Sequence, residues 1–328
     1  MTELALAAFA AETSAHVVET PRSRRFAAFA RGFDERGYVK RLQERGFRWL
    51  ARSSPEFPPL LRAIPDPPAG LFLRGAGATE LLARPAVAVV GARACSAYGA
   101  QVARTLGREL AAAGLAVVSG LARGIDGEAH RGALEGGGAT VAVLGCGVDR
   151  DYPASHRELA QRIAESCLVV SEYAPGVEPA PWRFPARNRI IAGLAAATIV
   201  VEARESSGAL ITAGLALEEG REVFAVPGEI TSSLSAGTHA LLRLGATPLT
   251  CSEDVLESLG FAAPSRDPPG VSGEAETVLA ALREGAAGAD QLARATQLDA
   301  GRVAAALAEL ELAGLAAQSD GVYRASVS

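Results

Sequence analysis

The sequence predicts an α/β protein: a doubly wound, mostly parallel sheet with a small helical domain before it and a winged-helix-like module after it. Three observations carry this. Six short apolar runs, VAVVGAR (87–93), LAVVSG (115–120), ATVAVLGCG (139–147), CLVVSEY (167–173), ATIVVEA (197–203) and EVFAVPG (222–228), alternate with helical stretches. Uninterrupted apolar runs are what parallel strands covered on both faces require, and their alternation with helices builds a doubly wound sheet. The first 52 residues show aromatic and aliphatic residues at helical spacing. A linker rich in proline and glycine, FAAPSRDPPGVSG (261–273), separates the sheet from a last segment of three helical patterns and a hairpin signal.

Taken in order, residues 1–52 read as short helices: an alanine-rich opening, then a pattern of Phe26, Phe29, Phe33, Tyr38, Leu42, Phe47 and Leu50 punctuated by Gly32, Gly37 and Gly46. Residues 53–70 hold six prolines and read as a rigid connector outside the core. Leu71-Phe72-Leu73 form a short strand. Residues 98–113 and the GIDGEAHRGALEGG stretch form helices after the first and second strands. Beyond the linker, 274–284, 289–297 and 299–313 read as helices, and GLAAQSDGVYRA as a hairpin turning at Asp320-Gly321. The domains are therefore expected at 1–62, 63–262 and 274–328, with 263–273 as linker.

Half of the 328 residues are hydrophobic (49%), enough for a large core. No run approaches a membrane span, and the opening lacks a signal-peptide pattern. Cys95, Cys146, Cys167 and Cys251 are scattered singly, which fits reduced thiols better than a disulfide framework or zinc site. A cytoplasmic protein away from the membrane is expected. The net charge of −5 argues against a generally basic coat, but the charge is unevenly spread. Residues 20–52 carry nine arginines and Lys40, the chain's single lysine, against Asp34, Glu35 and Glu44. Residues 272–328 carry four arginines against eight carboxylates, so the last module is better suited to protein contact than to phosphate.

In a doubly wound sheet ligands bind beyond the carboxyl ends of the strands, so the loops there define the candidate site. They hold Gly91 to Gly99, Ser119 to Asp126, Glu202 to Gly208, and Pro227-Gly228-Glu229 with Gly237-Thr238 downstream. These small, hydroxyl-bearing and cationic residues suit a phosphate cradle. The stretch WRFPARNRIIAG (182–193) adds an aromatic ring and arginines beside an apolar helix. Pro185 points to an extended lead-in, with a helix starting near Asn188 as its cap. Cationic forks at a helix start favour anions and a neighbouring ring can stack on a base, which suggests nucleic acid or nucleotide. A capped core helix with two solvated arginines is the plain alternative.

Other motifs are weaker. Gly145-Cys146-Gly147 begins a dinucleotide fingerprint that Arg150 breaks, and neither a GxxxxGK[ST] loop nor a GxSxG elbow occurs. The four histidines are too dispersed for a metal site, and His16 lies in the helical preface. Asp126 and His130 stand four apart on one helix face, a spacing for a structural hydrogen bond.

The loops together resemble the bacterial DNA-processing protein A family (DprA, also called Smf). The matching stretches are IPDPPAGLFLRG, VGARACSAYG, SGLARGIDGEAHRGAL, VAVLGCGVDRDYP, FPARNRIIAGL, ARESSGALITAGLALEEGREVFAVPG and SAGTHALLRLGA, in family order from about residue 64 to 247. The resemblance implies an extended Rossmann-like core, a helical domain of the SAM or helix-hairpin-helix kind before it and a winged helix after it. It implies a homodimeric protein without catalysis or cofactor that binds and protects incoming single-stranded DNA in natural transformation, loads the RecA recombinase and helps displace single-strand-binding protein. Carried over by motif, the DNA site comprises Arg93 and Ser96, then Phe184, Arg187, Asn188 and Arg189, then Arg204, Ser207 and Gly208. Arg93 and one of Arg187 or Arg189 would hold phosphates and Phe184 a base, with Asn188 as cap and Arg189 as brace the open alternatives. Arg183 stands near a position where many members carry lysine, and Trp182 beside it adds a stacking surface. His156 replaces the family's usual asparagine after DxxYP and reads as a cap change.

The rival reading is enzymatic. Pro227-Gly228 followed by Gly237-Thr238 is similar to the loop of nucleotide-hydrolysing lysine-decarboxylase-like (LOG) proteins, but a serine-rich insert separates the two halves. Glu202 and Glu229 are its available carboxylates.

Overall fold

The computed structural model describes residues 3–13, 24–261, 271–285, 287–319 and 321–325. The chain forms two compact units, 1–263 and 264–328. His16, most of the 263–273 linker and Asp320 at the hairpin turn lie outside the described residues.

The first unit opens with helices α1 (Glu3–Thr13), α2 (Arg24–Gly32) and α3 (Glu35–Glu44), then strand β1 (Phe47–Ala51), α4 (Pro59–Arg62) and β2 (Gly70–Arg74). Strand–helix alternation follows: β3 (Ala86–Val90), α5 (Ala97–Ala112), β4 (Ala116–Ser119), α6 (Ile125–Glu135), β5 (Thr140–Val143), α7 (Arg157–Ser166) and β6 (Leu168–Ser171). It ends with α8 (Arg183–Leu194), β7 (Ala197–Val200), α9 (Gly208–Glu218), β8 (Glu222–Ala225), α10 (Ala236–Arg243), β9 (Thr247–Pro248) and α11 (Ser252–Ser258).

The nine strands form one sheet in the order β1-β2-β6-β5-β4-β3-β7-β8-β9. Pairing is parallel from β6 to β9 and antiparallel at β1–β2 and β2–β6. From β3 the chain winds one way through β4, β5 and β6, then returns through α8 to β7 on the other side. The switch point therefore lies between the carboxyl ends of β3 and β7, where such sheets open a crevice. Alternate residues of β3 feed two cores: Ala88 and Val90 face α8 and α9, while Val87 and Val89 face α5 and α6. Both faces are dry, which explains the uninterrupted apolar run.

Three expectations for this unit are corrected. Residues 47–51 are not helical but an edge strand, in which Phe47 and Leu50 are buried and Arg48 and Trp49 half-buried. Arg48 donates to the carbonyls of Gly75 and Gly77 at 3.0 and 2.6 Å, an anchor invisible in the local pattern. The proline-rich 53–70 stretch is not outside the core, since it folds back through α4 and buries Phe57, Leu61 and Ile64. Helix α8 begins at Arg183 rather than near Asn188, with Pro185 inside its first turn. Proline is tolerated there because first-turn amides have no intrahelical acceptor.

The second unit contains α12 (Gly273–Glu284), α13 (Ala289–Thr296), α14 (Ala300–Leu312) and the antiparallel hairpin β10 (Ala316–Ser319) and β11 (Val322–Ala325). Val278, Leu282, Leu292, Val303, Leu307 and Leu310 form its core. This is the three-helix-plus-hairpin winged-helix pattern. Helix α14 turns Ala304, Ala305, Ala308 and Leu312 outward, and its one cation, Arg302, pairs with Glu274.

Candidate nucleic-acid interface

Parallel topology places the loops after β3, β4, β5 and β7 at one end of the sheet. There they enclose two adjoining cavities of about 230 and about 250 Å³ that share Arg93, Ala122, Phe184 and Arg187. The first turn of α8 separates them.

Phe184 forms the partition. Its ring stacks on Tyr152 with centroids 5.3 Å apart and an interplanar angle of 28°, and the Arg93 guanidinium lies over it at 5.6 Å from the ring centroid. Gly145 makes this approach possible, since a Cβ there would lie 2.9 Å from the Phe184 ring. Tyr152 is 41% exposed and Phe184 half-buried, so an aromatic face meets solvent beside an exposed cation. Flat π-surfaces next to cations are the elements of a base-stacking platform.

The arginines divide into two groups. Arg93, Arg123 and Arg204 are exposed, and among the described residues no carboxylate pairs with them. Arg93 and Arg123 line the cavities. Arg187, by contrast, is 4% exposed and donates through Nη1 to the carbonyls of Gly120 (2.9 Å) and Val143, and through Nε to Asn188 Oδ1. It ties α8 to the ends of β4 and β5. Burial pulls its guanidinium down to about 10, with Asp126 opposing that drop and Arg93 adding to it. Asp126, also buried, accepts the amides of Gly120 and Ala122 at 3.1 and 3.3 Å, and burial raises its pKa against the pull of Arg187. Only glycine fits at 120: a Cβ would lie 2.6 Å from Arg187 Nη2 and 2.7 Å from Asp126 Oδ2.

Arg189 is held further from the cleft, bidentate on Glu172 (2.7 and 3.1 Å) and paired with Asp66 at 3.0 Å, so it braces α8 against the 53–70 segment. These carboxylates raise its pKa against the opposing effect of burial, the largest single influence. Arg183 is buried, donates to the Glu178 carbonyl and lies over the rings of Trp182 and Tyr173. Asn188 does not cap α8. It sits in the second turn and donates to the Gly208 carbonyl at 3.2 Å, joining α8 to the start of α9.

Ser96 and Ser207 are the N-caps of α5 and α9. Ser96 also donates through its amide and hydroxyl to buried Glu202, at 2.9 and 2.5 Å. Both oxygens of Glu202 are thus engaged at the start of α5, and Glu229 is an exposed residue of the β8–α10 loop. Gly208 is exposed, with open space at its Cα.

Two further expectations change. Asp126 and His130 do not bond to each other. His130 Nδ1 donates to Thr140 Oγ1 at 2.7 Å, since the Thr140 hydroxyl itself donates to Val117. Burial lowers the His130 pKa to about 3, so this imidazole is neutral. His156 caps nothing with its side chain; it donates from Nδ1 to the Leu121 carbonyl at 3.0 Å. Leu121 is fully buried with φ +58°, a conformation that costs an L-residue roughly 1–2 kcal/mol. His156 therefore fastens a strained turn at the cleft wall.

Sequence reasoning did not single out Tyr152 or Arg123. Tyr152 belongs to the GVDRDYP motif, and Arg123 to the loop after the second strand, so the signal for both was their place beyond strand ends.

The family model for DNA recombination-mediator protein A matches residues 48–260, and that for the DprA winged helix domain matches residues 262–321. The chain is 49% identical over 205 residues to DNA processing protein DprA of Streptococcus pneumoniae, covering 61% of this chain and 70% of that one. The X-ray structure of Streptococcus pneumoniae DprA superposes with a TM-score of 0.67 at 40% identity, over 79% of this chain and 92% of that chain. DNA processing protein A from Helicobacter pylori, a structure described for its single-stranded DNA binding mode, superposes with a TM-score of 0.59 at 31% identity, over 66% of this chain and 97% of that chain. A mostly parallel Rossmann-like core and a winged helix, both matched by the family's own models, make this chain a member of the DNA-processing protein A (DprA/Smf) family.

Proposed function

We propose that the cleft at the β3–β7 switch point holds single-stranded DNA without catalysis. The observation that carries this reading is the aromatic pair Phe184–Tyr152 beside the exposed Arg93, which pairs with no carboxylate among the described residues, flanked by Arg123. One base stacks on the ring pair while Arg93, Arg123 and Arg204 take phosphates. Of the carried-over residues, Arg187, Arg189, Arg183 and Asn188 build the platform, Ser96 and Ser207 shape the helix starts, and Gly208 leaves room for a strand to pass. The Helicobacter pylori relative's single-stranded DNA binding supports the ligand class. Both oxygens of Glu202 are engaged by Ser96, which weighs against its use as a hydrolytic base and so against the nucleotide-hydrolysing alternative.

On this reading the protein acts in the cytoplasm as a homodimer that protects incoming single strands in natural transformation and loads RecA onto them, aided by contact with single-strand-binding protein. The test is RecA filament nucleation on strands precoated with single-strand-binding protein. Wild type should shorten the lag and the Arg93→Ala/Phe184→Ala variant should not. An equal lag with and without the protein would refute loading, and base release from nucleoside monophosphates would restore the enzyme reading.

A further inference from the structure

The basic surface of the helical preface is not used by the cleft. Arg36, Lys40 and Arg41 on α3 are all exposed. Among the described residues no carboxylate pairs with Arg36 or Arg41, and Lys40 reaches only Glu44, at 3.9 Å, with both side chains mostly in solvent. Such a surface pair contributes little and leaves the ammonium available. Arg36 and Lys40, one turn apart, border a shallow depression with Val39, Gln43 and one carboxylate, Glu35, so the cations outnumber the acid there by two to one.

This surface is anchored to the cleft. Leu42, on the buried side of α3, packs in one cluster with Val148 and Ala174. Arg45, one turn beyond Arg41, pairs with Asp149 at 3.0 Å. Residues 148 and 149 begin the loop that presents Tyr152 to Phe184. The α3 cations thus sit on the element packed against the wall of the stacking platform, with a fixed relation to it.

We infer that α3 supplies a second, sequence-independent phosphate contact for a strand whose bases are held at Phe184 and Tyr152. The inference rests on the cleft reading and deepens it. Simple cations on a convex helix read no base edges, so this contact adds affinity for length and not for sequence.

The test uses the full chain, labelled oligo-dT of two lengths, and the Arg36→Gln/Lys40→Gln/Arg41→Gln variant, whose altered side chains are all exposed. A strand of about 6 nucleotides fills only the cleft, whereas one of about 25 extends past it. Binding of the short strand should stay within about twofold of wild type, while the long strand weakens about tenfold and its log K against log[salt] slope becomes shallower by roughly 2. Replacing Arg36 and Arg41 by lysine should retain long-strand affinity. Short-strand binding with an unchanged long-strand affinity and slope would overturn the α3 contact alone. A wild type that binds neither strand would overturn the cleft reading and this one with it.

Discussion

The rim of the cleft and the helix beneath it use the same residue type for opposite purposes. At the rim, Arg93, Arg123 and Arg204 are exposed and have no carboxylate partner among the described residues. On α8, Arg187 is buried among backbone carbonyls and Arg189 is clamped by Glu172 and Asp66. A guanidinium can do either job because its five donors match carbonyls, carboxylates and phosphates alike. What separates the two groups is whether other elements already use those donors. The lesson is that an arginine-rich motif marks a site without saying which arginines touch the ligand.

The largest effect should come from breaking the buried member. Arg187→Met leaves Asp126 without its balancing charge and two carbonyls without a donor, and should cost about 3–5 kcal/mol in urea unfolding. Arg93→Ala, by the same measurement, should stay within about 0.5 kcal/mol of wild type. Equal destabilisation by both would erase the distinction.

Phe184→Ala/Tyr152→Ala should come next, on binding rather than folding. Loss of one stacked base is worth about 1–3 kcal/mol, so oligo-dT affinity should fall about 5- to 150-fold, read by fluorescence anisotropy. An unchanged affinity would place the bases elsewhere.

The smallest effect concerns a carboxylate at the end of α9, the helix packed beside α8. Glu219, at the end of α9, has its pKa raised to about 7, chiefly by burial and against the pull of Arg221. Because the folded value exceeds the ordinary 4.5, the native state binds more protons between the two, and stability falls as pH rises through that window. Glu219→Gln removes this dependence. The variant's stability relative to wild type should therefore rise between about pH 5 and about pH 8, by on the order of 1 kcal/mol after solvent screening. A pH-independent difference would show that Glu219 is not ionising in that range.

Much of this arrangement was legible in the chain. The six apolar runs fell on β3 to β8, because strands covered on both faces are apolar along most of their length, whereas the two-residue β9 left no such run. The site loops followed from strand ends alone. The edge strand β1 does not show in the local pattern because Phe47 and Leu50 are spaced three apart, as on a helix, and its pairing with β2 runs from Ala51↔Gly70 to Phe47↔Arg74, across the whole proline-rich segment. The start of α8 was misread because Pro185 breaks a helix interior but not a first turn. The burial of Arg187 could not be read locally, since its acceptors, Gly120 and Val143, come from two other strands. Likewise, nothing in LARG or DYPASH announces that His156 secures a left-handed Leu121.

The most direct test of the division between rim and brace is a paired measurement on the Arg93→Ala/Arg123→Ala variant: oligo-dT affinity at two salt concentrations and the urea midpoint on the same preparation. The account predicts a wild-type midpoint with single-strand binding lost or weakened at least about tenfold and a shallower salt dependence. Wild-type affinity and salt dependence in that folded variant would contradict it.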